Sequence, residues 1–294
     1  MTCPICGNEK SFLKYKANLS DLGEKYAITD SRIGKHGDIF KCRACGLAWV
    51  DSVFAQKTIQ SYVAGGFDEA YEKERTSRLK TAEVLMKKIK KVKPAGKLLD
   101  IGCYSGIFLE IAQKHNYEIF GIEASPEAVN HSIPSIRENL KVGLVEEMLK
   151  QFPDNFFDVI TLFDVIEHLE NPGKILVEVR NKLKNDGFLI FSTPNLSSFM
   201  AHLQGGSWYA ILPHHLYYFS LKNLSLLLAQ NGFTIEKTGQ IGRHFTLDYL
   251  AEHLAGASVF LSKISSTIFK FLKIGQIIIP VNFFDQLLIF AKKK

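Results

Sequence analysis

The chain has 294 residues, 46% of them apolar, and a formal net charge of +6. That length and apolar content suit one sizeable buried core with a small appendage and exclude a low-complexity chain. The mildly basic balance permits RNA or an anionic membrane surface as partner without requiring either, and no uninterrupted apolar run reaches the roughly 18–20 residues that span a bilayer.

Met1-Thr2-Cys3-Pro4 runs straight into a cysteine pair, which predicts no secretory leader and a cytoplasmic location. Cys3-Pro4-Ile5-Cys6-Gly7 and Cys42-Arg43-Ala44-Cys45-Gly46 are matching knuckles, each placing two thiolates on a tight turn. Together Cys3, Cys6, Cys42 and Cys45 supply the four ligands of a closed, structural zinc site, with a hairpin or loop inserted between the pairs. Phe40, Leu47, Trp49 and Val50 alternate around the second knuckle as a strand does. Residues 1–52 are therefore expected to form a zinc ribbon, and 53–95 a helical connector. Within it, Leu79, Ala82, Leu85, Met86 and Ile89 recur at helical spacing. Lys87, Lys88, Lys90, Lys91 and Lys93 read as a solvated face or an RNA contact. Pro94-Ala95-Gly96 ends the helix.

Residues 97–101 form an apolar run that includes Asp100 and leads into a turn carrying Gly102 and Gly106, after which an apolar helical pattern begins. This strand–turn–helix opens an α/β, doubly wound sheet, in which ligands bind at the carboxyl ends of strands. Tyr104 and Ile107 break a G-x-G-x-x-G fingerprint, and no Gly-Lys-Ser/Thr follows for a phosphate loop. Residues 117–123 read as a second strand ending in Glu123, placed where a carboxylate accepts the hydroxyls of a ribose. Ser125-Pro126 starts a helix. Residues 140–146 give a third strand with its loop. Residues 156–163 give a fourth, apolar on both faces, leading into Asp164-Val165-Ile166-Glu167-His168. If that segment is helical, Asp164, Glu167 and His168 share a face, suited either to a hard divalent cation or to capping the loop and orienting neighbours. A helix over 175–183 and a fifth strand over 188–195 follow.

Residues 196–220 carry Gly205-Gly206, Trp208, Tyr209, His214, His215, Tyr217 and Tyr218, the composition of a substrate lid and wall. Residues 233–237 are expected as a sixth strand, 245–272 as two helices, and 286–291 as a seventh, antiparallel edge strand. The second of those helices is basic and amphipathic, a face for the core, a partner subunit in a homodimer, or a membrane surface.

From Asp100-Ile101-Gly102-Cys103-Tyr104-Ser105-Gly106 onward the chain resembles the class I S-adenosylmethionine (SAM) dependent methyltransferases, whose first motif usually reads Asp-x-Gly-x-Gly-x-Gly. Tyr104 departs from that motif and predicts a narrowed site. The block Asp164 to Leu169 and the stretch Leu-Lys-Asn-Asp-Gly-Phe-Leu-Ile-Phe-Ser-Thr-Pro-Asn, 183–195, carry the likeness on, so that it covers about residues 97–232. The resemblance implies a seven-stranded SAM-methyltransferase core over 96–294. It implies that Asp100, Gly102, Tyr104 and Gly106 hold the methionine end of SAM, with Cys103 a small residue beneath it. It likewise implies Glu123 with Ala124 at the ribose, Leu144 and Val145 at the adenine, and Phe163 with Asp164 at the cleft rim. A hydroxyl or enolisable carbon acceptor needs a base, for which His215 is the first candidate, followed by His214, His168 and Tyr217. The zinc module ahead of this core is similar to that of sugar C-methyltransferases. Asp164-Val165-Ile166-Glu167 stands where amino-methylating relatives carry Asn/Asp-Pro-Pro-Tyr/Phe, which points to O- or C-methylation of a small molecule, sugar nucleotide or glycan precursor. The alternatives are an rRNA or tRNA methyltransferase using the ribbon on RNA, and a non-catalytic SAM-binding or zinc-ribbon interaction protein.

Overall fold

The computed structural model describes residues 1–19, 32–51, 54, 57, 68–253 and 267–294. Among these, strands β4 (Gly96–Ile101), β5 (Tyr117–Glu123), β6 (Leu140–Val142), β7 (Phe157–Phe163), β8 (Leu183–Pro194), β10 (Phe233–Gln240) and β13 (Gln286–Lys293) form one sheet in the order β10-β13-β8-β7-β4-β5-β6. The five strands from β6 to β8 are parallel, and β13 runs antiparallel to both of its neighbours. The doubly wound architecture expected from the sequence is present. The strand order reverses beside β4, so the ends of β4 and β7 open the crevice where such sheets bind ligands.

The strands alternate their side chains between two cores. Leu99, Ile160, Leu189 and Phe191 face one side and pack with Leu176, Val179, Leu227 and Leu228. Those four lie on helices α7 (Pro172–Lys182) and α9 (Leu221–Gln230). Leu98, Val159, Ile190 and Phe290 face the other side, against α2 (Arg75–Lys90) and α3 (Ile107–Lys114), which supply Met86, Ile89, Leu109 and Ala112. Short helices α4 (Pro126–Asn130), α5 (Pro134–Arg137) and α6 (Val145–Met148) link β5, β6 and β7. Ser125 caps α4 by accepting from the Ala128 amide, and Pro126 occupies its first turn.

A second sheet joins β1 (Ser11–Tyr15), β2 (Ile39–Cys42), β3 (Ala48–Val50) and β9 (Tyr217–Tyr218), each neighbour antiparallel. Its fourth strand comes from the segment 196–220: Ala48 pairs with Tyr218 and Trp49 with Tyr217, and the Val50 amide donates to the Leu216 carbonyl. Leu47 and Trp49 join the same core cluster as Phe219 and Leu224.

Several local expectations are corrected. The strand over 286–291 is not at the edge: β13 lies between β8 and β10, and its first six residues are all buried, the pattern of a strand covered on both faces. The edge is β10, which extends past Lys237 to Gln240. Residues 245 and 246 form no helix. They belong to β11 (Arg243–Thr246), paired with β12 (Ile278–Val281) as a separate two-stranded ribbon; α10 (Leu247–His253) follows, and residues 267–272 are helical as well. The basic amphipathic helix expected beyond it lies largely outside the described residues, as does most of the connector ahead of α1 (Glu69–Lys73). In the lysine run, Lys88 donates to the Gln240 carbonyl at 2.7 Å. Lys93 pairs with Asp158 and Asp186 at 3.4 and 2.6 Å. No helix among the described residues is long and apolar enough to cross a membrane.

Candidate active site

The turn after β4 is built from three residues with positive φ: Gly102 at 73°, Tyr104 at 51° and Gly106 at 75°. A Cβ on Gly102 would lie 2.5 Å from Val165 Cγ2, and one on Gly106 2.5 Å from Ile136 Cγ2. Both glycines are therefore demanded by space as well as by conformation. Glu123, 1% exposed at the end of β5, holds the turn: its carboxylate accepts from the Tyr104 and Ser125 amides, each at 2.8 Å. The Tyr104 ring leaves the turn and packs edge-on against Tyr71 at 4.5 Å, while its hydroxyl accepts from the Asp68 amide at 2.8 Å. The segment around α1 is thereby drawn over the turn. Ser105 donates to Glu72, and Arg75 pairs with Glu110.

Asp100 is buried beneath the turn, and Thr161 donates to it at 2.7 Å. Burial, reinforced by the Glu123 carboxylate, pushes the Asp100 carboxyl up to about 7. Cys103 is also buried, and burial raises its thiol, so it is a packing group rather than a nucleophile. Ala124 is half-buried after Glu123; Leu144 is exposed and Val145 buried at the start of α6. Phe163 meets Phe108 edge-on at 4.9 Å.

Asp164 sits at φ 57° where β7 ends. Its amide donates to Ser192, and its carboxylate accepts from Ser192 Oγ at 2.9 Å, from Gln286 and from Arg243. Arg243 has no counterpart in the sequence reading. The β11–β12 ribbon carries it to the cleft from just ahead of the stretch that reads as helix, and no short motif marks it. The ribbon is in turn clamped to α2: buried Glu74 accepts from the Thr246 amide and hydroxyl, and Thr81 accepts from the His244 amide.

Residues 164–168 are not an α-helix; Ile166–His168 is a single 3-10 turn. Among the described residues, Asp164, Glu167 and His168 are not a group that could hold a metal ion. Glu167 is buried, and burial together with Asp164 pushes it up to about 8, which removes the charge a hard cation requires. His168 instead joins His214 and His215. The three ring centroids are 4.8–5.0 Å apart, His168 and His214 stacked and His215 edge-on to both. Burial lowers the pKa of all three, so each imidazole is neutral near pH 7. Tyr217 is not among them: its hydroxyl donates to the Glu170 carbonyl at 2.9 Å, its ring stacks on Phe219, and burial pushes it up to about 12. Trp208 and Tyr209 both donate to Asp285 just before β13.

The four paired cysteines converge as their spacing predicts. Cys3 and Cys45 sulfurs are 3.6 Å apart, as are those of Cys6 and Cys42. Tetrahedral zinc with Zn–S of about 2.3 Å places sulfurs about 3.8 Å apart, whereas a disulfide needs about 2.05 Å.

A family model described as a methyltransferase domain matches residues 71–238. The chain is 30% identical over 122 residues to a ubiquinone biosynthesis O-methyltransferase of Actinobacillus pleuropneumoniae, an alignment covering 38% of this chain and 52% of that protein. It is 35% identical over 107 residues to the protein of that name from Glaesserella parasuis, covering 34% and 45%. The chain thus spans about half the length of these curated relatives. Among solved structures, a SAM-dependent methyltransferase from Archaeoglobus fulgidus superposes with a TM-score of 0.53 at 22% identity, covering 77% of this chain and all of that one.

Proposed function

Because the chain belongs to the methyltransferase-domain family, we propose that it transfers a methyl group from SAM to an oxygen or carbon of a small-molecule or sugar-linked acceptor. The observation that carries this reading is the pairing of a glycine-lined turn and a buried Glu123 carboxylate at the sheet's switch point with a cluster of neutral histidines on the cleft rim. The turn fits the cofactor through the backbone left bare at Gly102 and Gly106 and through the buried Glu123 carboxylate beside it.

Asp100, Gly102, Tyr104 and Gly106 would hold the methionine end, Glu123 and Ala124 the ribose, and Leu144 and Val145 the adenine, with Phe163 and Asp164 at the rim. When bound, SAM supplies a methyl group already activated on a sulfonium. The protein's task is to orient an acceptor and remove its proton. His215 is the favoured base, since burial keeps it unprotonated; His214 and His168 stand beside it. Zinc on the four cysteines would fix β1–β3, and all five cysteines are free thiols, which suits a reducing, cytoplasmic setting. Transfer of labelled methyl from SAM into sugar-nucleotide, phenol and RNA pools tests the acceptor class. Label in the small-molecule pools, falling at least 100-fold in His215→Ala, supports the reading; label confined to RNA overturns it.

A further inference from the structure

Three imidazoles meet at one point of the rim. His168 comes from the turn after β7, His214 and His215 from the loop before β9, and their candidate ligand atoms all lie within 4.8 Å of one another. His214 and His215 are 3% and 7% exposed. His168 Nδ1 lies 2.9 Å from the His214 carbonyl oxygen. A carbonyl only accepts, so that nitrogen carries the proton and Nε2 keeps its lone pair, the way a protein fixes a ligating tautomer. His215 Nδ1 is buried and meets no hydrogen-bond partner among the described residues, an arrangement that costs stability unless something fills it.

We propose that His168, His214 and His215 form a second metal site, separate from the four cysteines, that takes a borderline divalent ion such as zinc through three imidazole nitrogens. Burial already keeps all three rings in the neutral, ligating form. A Zn–N distance of about 2.0–2.1 Å sets tetrahedral nitrogens about 3.4 Å apart, so ring rotation at His214 and His215 closes the present spacing while His168 stays pinned. The donor set contains no carboxylate, which selects zinc over magnesium or calcium. Three neutral ligands leave the full charge of the ion and a fourth position, as in catalytic zinc sites.

The catalytic consequence alone rests on the methyl-transfer reading: an acceptor hydroxyl bound at that position would be acidified by the ion and would give its proton to solvent water as its oxygen takes the methyl group from the sulfonium, whose sulfur keeps the bonding pair, so that the ion serves in place of a His215 base.

The test counts metal in the full-length protein without SAM. Protein purified without chelator is dialysed against a mild chelator and titrated with zinc, then with cobalt. The expected result is one tightly held metal and a second that is lost and regained; His168→Gln and His215→Gln each retain the first and do not take up the second. Cobalt at the second site gives weak visible bands without thiolate charge-transfer absorption. A wild type that saturates at one metal per chain overturns the site, as does a second metal that persists in both variants. The wild-type titration decides by itself should a variant fail to fold. SAM calorimetry on the same samples separates the two readings, since metal uptake without SAM binding removes the methyltransferase reading and leaves the site intact.

Discussion

Tyr104 occupies a left-handed conformation that costs a non-glycine residue about 1–2 kcal/mol, and the surroundings hold it there through the Glu123 carboxylate, the Asp68 amide and the Tyr71 ring. Tyr104→Phe removes the acceptor of that amide and is expected to lower stability by about 1 kcal/mol in chemical denaturation. Beneath it, Asp100 links stability to pH. Its folded pKa of about 7 stands above its ordinary value of 3.8, so the folded state holds a proton that the unfolded state has released. Stability therefore falls as pH rises from about 4 to 7, by on the order of 3–4 kcal/mol. In Asp100→Asn this part of the pH dependence is expected to vanish in thermal unfolding at a series of pH values. The glycines and the acid of this turn were legible in the sequence because sterics and charge leave few residue types for each role. Arg243 was not: its part depends on a ribbon pairing between residues 243 and 281, and nothing local to it marks that.

At the scale of elements, the cysteine knuckles and the segment 196–220 are joined in one sheet. β3 pairs with β9, and the loop that precedes β9 carries His214 and His215. Replacing Cys42 and Cys45 together with serine is expected to shift tryptophan emission toward the solvent-exposed value and to reduce methyl transfer, while SAM affinity stays within about threefold. An equal loss of SAM affinity would contradict this coupling. The β11–β12 ribbon acts from the opposite side: Arg243→Ala releases Asp164 and is expected to lower kcat/KM roughly tenfold through misplacement of the rim, with SAM affinity preserved. Periodicity identified the strands and helices of the central repeat, where burial on one or two faces imposes a clear pattern. It failed for 245 and 246, where a short strand and a helix share the same apolar spacing and a partner distant in sequence decides between them.

Over the whole molecule, the sheet order places strands far apart in sequence around one crevice, and β13 inserted beside β8 brings Gln286 to Asp164. Fold class was legible because a strand–turn–helix with an acid and two glycines, repeated strand–helix alternation and one antiparallel return specify few topologies. The interior position of β13 was not, since its apolar run fixes burial but not its neighbours. Nor was the meeting of His168 with His214 and His215, which joins two loops 46 residues apart. The central claim is that this crevice binds SAM through Glu123. Calorimetric titration of SAM and its demethylated product into the wild type and Glu123→Ala tests it most directly. Micromolar binding of both ligands by the wild type is expected, with a loss of at least tenfold in affinity in the variant and folding retained. Absence of binding by the folded wild type, or equal affinity in the variant, would contradict it.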